Sequence, residues 1–252
     1  MCGKKKGRGA RLVLIGLSLL GVTDAKANSL VVGGSGLLTQ SGANQLAAAL
    51  GEGDLTLTNV FAHGVGDGKT ATTFHTSVDG LGRTFSVLEV TAVGSTSTSL
   101  IVGGYDPQSW NSSGNYNNVA LDIQRTAFLF NLTSSTTMAE KLGPADGNAG
   151  MSQTANDPGY GPWFGGGSDL RVNASLTTGF AYQFSYGPTG QAGTTIFGAA
   201  FGGGGLTPTY ARIEVFTITD GVPAPLPATA LAGAVLMGGI GLLKVTRHRV
   251  TA

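Results

Sequence analysis

Few side chains in this chain are of the types that carry out chemistry, and their spacing narrows the choices. The only cysteine, Cys2, lies in the basic N-terminal stretch, so the rest of the chain has no disulfide, thiolate nucleophile or Cys-based metal site. His63 and His75 are twelve apart, with no acidic pair at metal-ligand spacing, and read as packing or surface residues. Gly68-Lys69-Thr70 ends like a phosphate loop, but the first glycine of that motif falls at His63. There is no Gly-x-Ser-x-Gly elbow to present a serine nucleophile. Two carboxylates facing one cleft would hydrolyse a glycosidic bond, and the spacing leaves Glu89 with Glu214 open as such a pair. Acids solvated on strand edges are the plainer reading, and nothing in the pattern asks for a cofactor.

Trp110 and Trp163 each sit in a loop rich in Gly or Asn, where an indole serves as a core plug or as an exposed platform for a sugar ring or a partner. With Asp169, which follows Gly165-Gly166-Gly167-Ser168, they form the candidate binding surface. Leu170 and Val172 alternate with Asp169 and Arg171, so the glycine run reads as a turn into a strand and not as a cofactor loop. The glycines there suit φ > 0 or a close backbone approach.

The elements that must position these residues are mostly strands. Gly makes up 42 of 252 residues, and apolar runs are short and rich in Val, Ile and Phe, as in strands joined by tight turns. The pattern predicts strands at Leu55–Ala62, Thr84–Val93, Ser99–Tyr105, Arg125–Leu132, Asp169–Ala174, Phe180–Tyr186, Thr195–Phe201 and Tyr210–Ile218. Ser41 can cap a helix running to Leu50 with Gly51 as its stop. A second short helix fits Thr72–Val78, and Ala145–Gly161 has the chemistry of a surface loop. The fold class is mainly β, with one domain over residues 28–221.

Both ends have the character of export signals. Lys4, Lys5, Lys6, Arg8 and Arg11 precede an apolar stretch from Leu12 to Val22, and Ala25-Lys26-Ala27 supplies small residues before a cleavage point. Residues 1–27 thus read as a signal peptide cut by signal peptidase. At the other end, Val222-Pro223-Ala224-Pro225 leads into an apolar run from Ala228 to Leu243 and then Lys244, Arg247, His248 and Arg249. That run would reach only about 24 Å as a helix, short of the roughly 30 Å hydrocarbon core. It would span if the bilayer thins or Lys244 snorkels, with the basic cluster cytoplasmic.

The three-part order of residues 222–252 resembles the PEP-CTERM sorting signal of Gram-negative bacteria, with Pro223-Ala224-Pro225 where Pro-Glu-Pro is usual. The resemblance implies processing by an exosortase-like membrane protease, a transient inner-membrane anchor, and delivery to the cell envelope or the extracellular matrix. Between Asn28 and Gly221 there are six Lys and Arg against thirteen Asp and Glu, and six minus thirteen is −7. An acidic domain with no basic stripe argues against a nucleic-acid partner.

Between these ends, seven pieces stand in order: Asp67-Gly68, Thr73-Phe74-His75, Gly82-Arg83-Thr84-Phe85, Gly103-Gly104-Tyr105 with Ser109-Trp110, Ala127-Phe128-Leu129-Phe130, Phe164 to Leu170, and Ile213-Glu214-Val215-Phe216. Together they resemble a TLDc domain over about Leu37 to Ile218. The resemblance implies an antiparallel β-sandwich with one or two short peripheral helices, here flanked by an N-terminal signal helix and a C-terminal transmembrane helix. Ser168 stands where many members have His or Gly, so no role resting on an imidazole carries over. Two functional classes follow: a non-enzymatic surface or matrix domain that binds polysaccharide or a surface protein, or an extracellular carbohydrate-active enzyme with an assembled carboxylate pair. Residues 28–221 are expected to fold alone and to melt at the same temperature with and without dithiothreitol. A reductant-dependent shift would show that the domain bounds or the signal cleavage site lie elsewhere.

Overall fold

The computed structural model describes residues 28–143, 149–188, 194–198 and 205–220. The expected signal peptide with Ala25 and Ala27, and the expected sorting segment from Val222 onward with its apolar helix, lie outside the described residues. No helix among the described residues is long and apolar enough to cross a membrane.

Two sheets make the body of the domain. The larger is built from β1 (Leu30–Val32), β2 (Leu55–Gly64), β3 (Thr84–Val93), β4 (Thr96–Asp106), β6 (Phe128–Asn131), β7 (Thr136–Ala139) and β12 (Pro208–Asp220), in the order β1-β2-β12-β3-β4-β6-β7. The smaller runs β11-β10-β9-β8-β5, from β11 (Gly179–Phe180), β10 (Leu170–Val172), β9 (Trp163–Phe164), β8 (Ser152–Ala155) and β5 (Tyr116–Asn118). The mainly β, two-sheet expectation holds, with one amendment: β1 pairs with β2 in parallel. All the other strand pairs are antiparallel.

The central strands of the large sheet are buried on both faces, whereas its edge strands β1 and β7 are mostly exposed. Leu88, Val90, Val102, Leu129, Ile213 and Val215 pack toward the small sheet and toward α2 (Ala71–Val78). The alternate residues Leu57, Phe85, Val87, Phe130 and Phe216 pack on the other side with α1 (Gln40–Leu50). Burial of both faces explains why the central strands read as nearly continuous apolar runs.

The helices sit close to where the sequence places them. Thr39, not Ser41, caps α1, because its hydroxyl accepts the Gly42 N–H at 3.1 Å. Gly51 ends the helix in the left-handed conformation, φ 72. At α2 the Thr70 N–H donates to Thr73 Oγ1 at 2.6 Å. The phosphate-loop-like Gly68-Lys69-Thr70 is a turn closed by Asp67, whose carboxylate accepts the N–H groups of Gly64 and Lys69 at 3.0 Å each.

Four strand expectations are corrected. Over Arg125–Leu132, pairing starts only at Phe128. The Arg125 guanidinium instead donates to the carbonyls of Val119, Ala120 and Lys141 at 3.0–3.1 Å. The Asp169–Ala174 strand shortens to Leu170–Val172. The Phe180–Tyr186 strand ends at Phe180: the Ala181 and Tyr182 N–H groups turn to Leu206 O and Ser168 O, and those of Phe184, Ser185 and Tyr186 reach Asp169. Of the expected Thr195–Phe201 strand, residues 199–201 lie outside the described residues; at Thr195 the chain turns, with Gly198 N–H bonded to Thr195 O at 2.9 Å, and its buried Ile196 and Phe197 plug the core. Ala145–Gly161, read as a surface loop, contains β8, with Gln153, Thr154 and Asn156 fully or almost fully buried.

Gly104 of β4 lets the two sheets meet. A methyl group there would lie 2.6 Å from the Phe164 ring, which is fully buried and braced edge-on by Trp110. Gly104→Ala is expected to destabilise the domain by about 1–3 kcal/mol through overpacking. Gly64→Ala, where the added methyl meets open space, should stay within about 0.5 kcal/mol. Denaturant melts of the two variants against the parent check both; equal stability of all three would mean that the sheets separate without cost at Phe164.

Candidate functional site

Antiparallel register assembles a row of rings on the outer face of the small sheet. Arg171 of β10 stands opposite Trp163 of β9 on one side and Phe180 of β11 on the other. The alternate residues Phe164, Leu170 and Val172 are buried against the large sheet, so the row itself faces outward. The Arg171 guanidinium carbon lies 4.7 Å from the Tyr160 ring centroid, 5.0 Å from that of Trp163 and 5.6 Å from that of Phe180. These are cation–π distances. Tyr160 and Tyr116 meet Trp163 edge-on, at 5.0 and 6.0 Å. Tyr116 is 39% exposed, so the row is open at this end.

Backbone bonds and one histidine hold the row. Gly161 N–H bonds to Val172 O and Val172 N–H to Pro162 O, both at 3.0 Å, which brings the Tyr160–Trp163 loop alongside β10. The Trp163 indole N–H donates to Gly165 O at 3.0 Å and fixes the ring. His75 is buried; its Nε2 lies 3.1 Å from the carbonyls of both Asp157 and Tyr160, and its Nδ1 lies 2.8 Å from Asp79 Oδ1. His75 is therefore the link by which α2 positions Tyr160. His63 likewise contacts Asp67, 2.7 Å away. The signal for both was in the sequence, an Asp four residues after each His.

Of the three residues expected at a binding surface, only Trp163 stands on the outer face of the small sheet. Trp110 is fully buried between Phe74 and Phe164, and its N–H donates to Thr84 Oγ1 at 2.9 Å, so it is a core plug. Asp169 is also buried, because its carboxylate accepts the N–H groups of Phe184, Ser185 and Tyr186 at 2.7, 2.9 and 2.9 Å. The glycine run before it is a turn into β10, as its sequence predicts. Positive φ falls at Gly165, where a methyl group would lie 2.0 Å from Asp169 Oδ2, and at Ser168, but not at Gly166.

Glu89 and Glu214 lie on one face of the large sheet, but each is engaged. Glu89 Oε2 is 2.6 Å from Arg212 Nε. Glu214 is buried and accepts the backbone N–H groups of Ser35 and Leu38, which ties down the loop before α1. Among the described residues, no group of three or more His, Cys, Asp or Glu is arranged to hold a metal ion.

The sequence profile of the TLDc domain matches residues 31–219. The chain belongs to the TLDc family. A comparison with curated proteins gives no match.

Behind the ring row, this TLDc domain buries three carboxyl groups near enough to repel one another. Asp106 at the end of β4, Glu140 just after β7, and Asp169 each have almost no exposed surface. Burial pushes Glu140 up to about 9, helped by the charges of Asp169 and Asp106 and opposed by Arg125. Tyr186 approaches Glu140, but its hydroxyl proton goes to Gln153 O at 2.6 Å, so neither Glu140 oxygen receives a donor. Burial likewise raises Asp106 to about 7, against the Gln108 N–H and the approaching Thr154 hydroxyl. Asp169 is raised to about 6, with its three amide donors and the Lys141 charge pulling the other way. The same burial and the three carboxyls push the Tyr186 phenol well above its ordinary value.

An unfolded chain releases these protons near pH 4, whereas the folded domain holds them to higher pH. Their stabilising contribution is complete below pH 4 and is lost as pH rises through about 6, 7 and 9. The melting temperature is expected to fall between about pH 5 and pH 9 by several degrees, and Glu140→Gln should flatten the upper part of that fall. A melting temperature that rises over this range would show that the carboxyls are ionised without cost.

Proposed function

We propose that this TLDc domain is the exported part of a Gram-negative envelope or matrix protein with a non-enzymatic binding role. In this reading signal peptidase removes residues 1–27, and an exosortase-like protease acts at Val222-Pro223-Ala224-Pro225. The apolar helix anchors the chain in the inner membrane only until then. Support for this order of events comes from the sequence of the two ends. The ligand is an extracellular polysaccharide, and the observation that carries this is the outward row of Tyr160, Trp163, Arg171 and Phe180. Flat rings on a sheet offer large, rigid, amphipathic area for stacking against the apolar face of a sugar. Glu89 and Glu214, committed to Arg212 and to backbone amides, lend no support to a glycosidase.

Two measurements test the proposal. Mass spectrometry of the extracellular fraction from a host with its exosortase should find the domain without peptides spanning Leu231–Leu243, and replacing Pro223 and Pro225 should leave the precursor in the membrane. Glycan arrays probed with the full chain should show binding that Trp163→Ala weakens about tenfold or more, as for a central aromatic anchor. Extracellular protein that retains Leu231–Leu243 would make the tail a permanent anchor, and arrays without signal would remove the polysaccharide role.

A further inference from the structure

We infer that the ring row selects acidic polysaccharides, with Arg171 receiving the carboxylate of a uronate sugar; this rests on the reading of the face as a polysaccharide site. Nearly every cation of this acidic domain already faces an acid. Lys69, Arg83, Arg125 and Arg212 each lie within 4 Å of an Asp or Glu oxygen. Lys141 is buried and faces the charge of Asp169. Arg171 alone among the cations of the described residues stands on an outward face with no ion pair there. Of its five N–H protons, one makes a single long bond from Nη1 to Ser168 Oγ, at 3.5 Å; Nε is buried without a partner, so a ligand on the outward face would be met by Nη1 and Nη2.

The surrounding rings give this guanidinium a defined role. Tyr160, Trp163 and Phe180 offer π faces that hold it in place, but they accept little of its hydrogen-bonding capacity. A planar fork held by rings is preorganised for two parallel bonds to a carboxylate. Sugar rings on either side of that carboxylate would then reach Trp163 and Phe180, its two cross-strand neighbours. A neutral glycan could stack on the same rings but would leave the guanidinium unpaired. The net charge of −7 over residues 28–221 opposes a polyanion at long range. That opposition is screened beyond about 8 Å at physiological ionic strength, so the local unpaired cation decides.

The test uses the full chain in mild detergent, with polygalacturonate as the acidic probe and the same polymer after reduction of its carboxyl groups as the neutral one. Polygalacturonate should bind at least tenfold more tightly than the reduced polymer. Arg171→Gln should remove that preference, losing about tenfold on the acidic polymer with little change on the neutral one, as expected for one charge-assisted contact. Trp163→Ala should weaken binding to both polymers. Thermal melts of the two variants confirm that they are folded, and Arg171→Lys, which keeps the charge but not the fork, should recover part of the preference. Equal binding of the two polymers that Trp163→Ala abolishes would overturn acid selectivity and leave the polysaccharide site standing. Binding that neither variant changes, or no binding to either polymer, would overturn both.

Discussion

The buried carboxylate of Asp169 ties together the parts of this domain that are least regular. It gathers three successive amides, from Phe184 to Tyr186, onto one side chain. That segment then pairs with the end of the large sheet, through Lys141 N–H to Ser185 O and Gly187 N–H to Ala139 O, both at 2.9 Å. Ser185 Oγ in turn accepts Gly166 N–H and donates to Ala149 O. One acid therefore fixes the turn before β10, the return of the chain after β11, and the seam between the two sheets. A buried group of this kind is tolerated because its acceptors are filled, and removing it would leave three amides unmatched. Its neighbour Glu140 has no such donors, which is why the two acids titrate so differently within one cluster.

The legible part of the fold was the part built from long strands. Thr84–Val93 has in the structure the bounds its sequence predicts, and the strand from Tyr210 extends only a few residues beyond the expected ends. Ten or more residues with both faces apolar leave a strong imprint on composition. β8, β9 and β5 are two to four residues long, too short for any period to show. They exist because turns and side-chain bonds deliver them to each other, as with Asn117 Nδ2 to Thr154 Oγ1 at 2.8 Å. At Ile196 and Phe197 the apolar run that suggested a strand marks burial alone, and Asn131 Nδ2 bonded to Ile196 O holds it as a turn.

The site was legible to a smaller degree. Trp163 could be named because an indole in a glycine-rich loop has few purposes. Tyr160, Arg171 and Phe180 gave no sign of themselves, since residues scattered over twenty positions become neighbours only through strand register. Trp110 and Trp163 have similar local sequences and opposite fates. The difference is tertiary: the loop carrying Trp110 lies between α2 and the small sheet, while Trp163 occupies the outward position of a strand whose inward position is Phe164.

The placement of β12 has a mechanical consequence. This strand, the last among the described residues, lies between β2 and β3, with nine register partners on each side. Tension on the chain beyond Asp220 would pull the strand lengthwise, so both ladders would resist in shear and no pair could open alone, unlike a peeling edge. In antiparallel pairs the hydrogen bonds run perpendicular to the strands, so such a load falls on many of them at once. The Arg83 bond to Asp220, at 2.9 Å, adds a clasp at the point where force would enter. A body held by this end would transmit drag from its surroundings into its most cooperative element, and cutting the chain past Asp220 would leave that element whole.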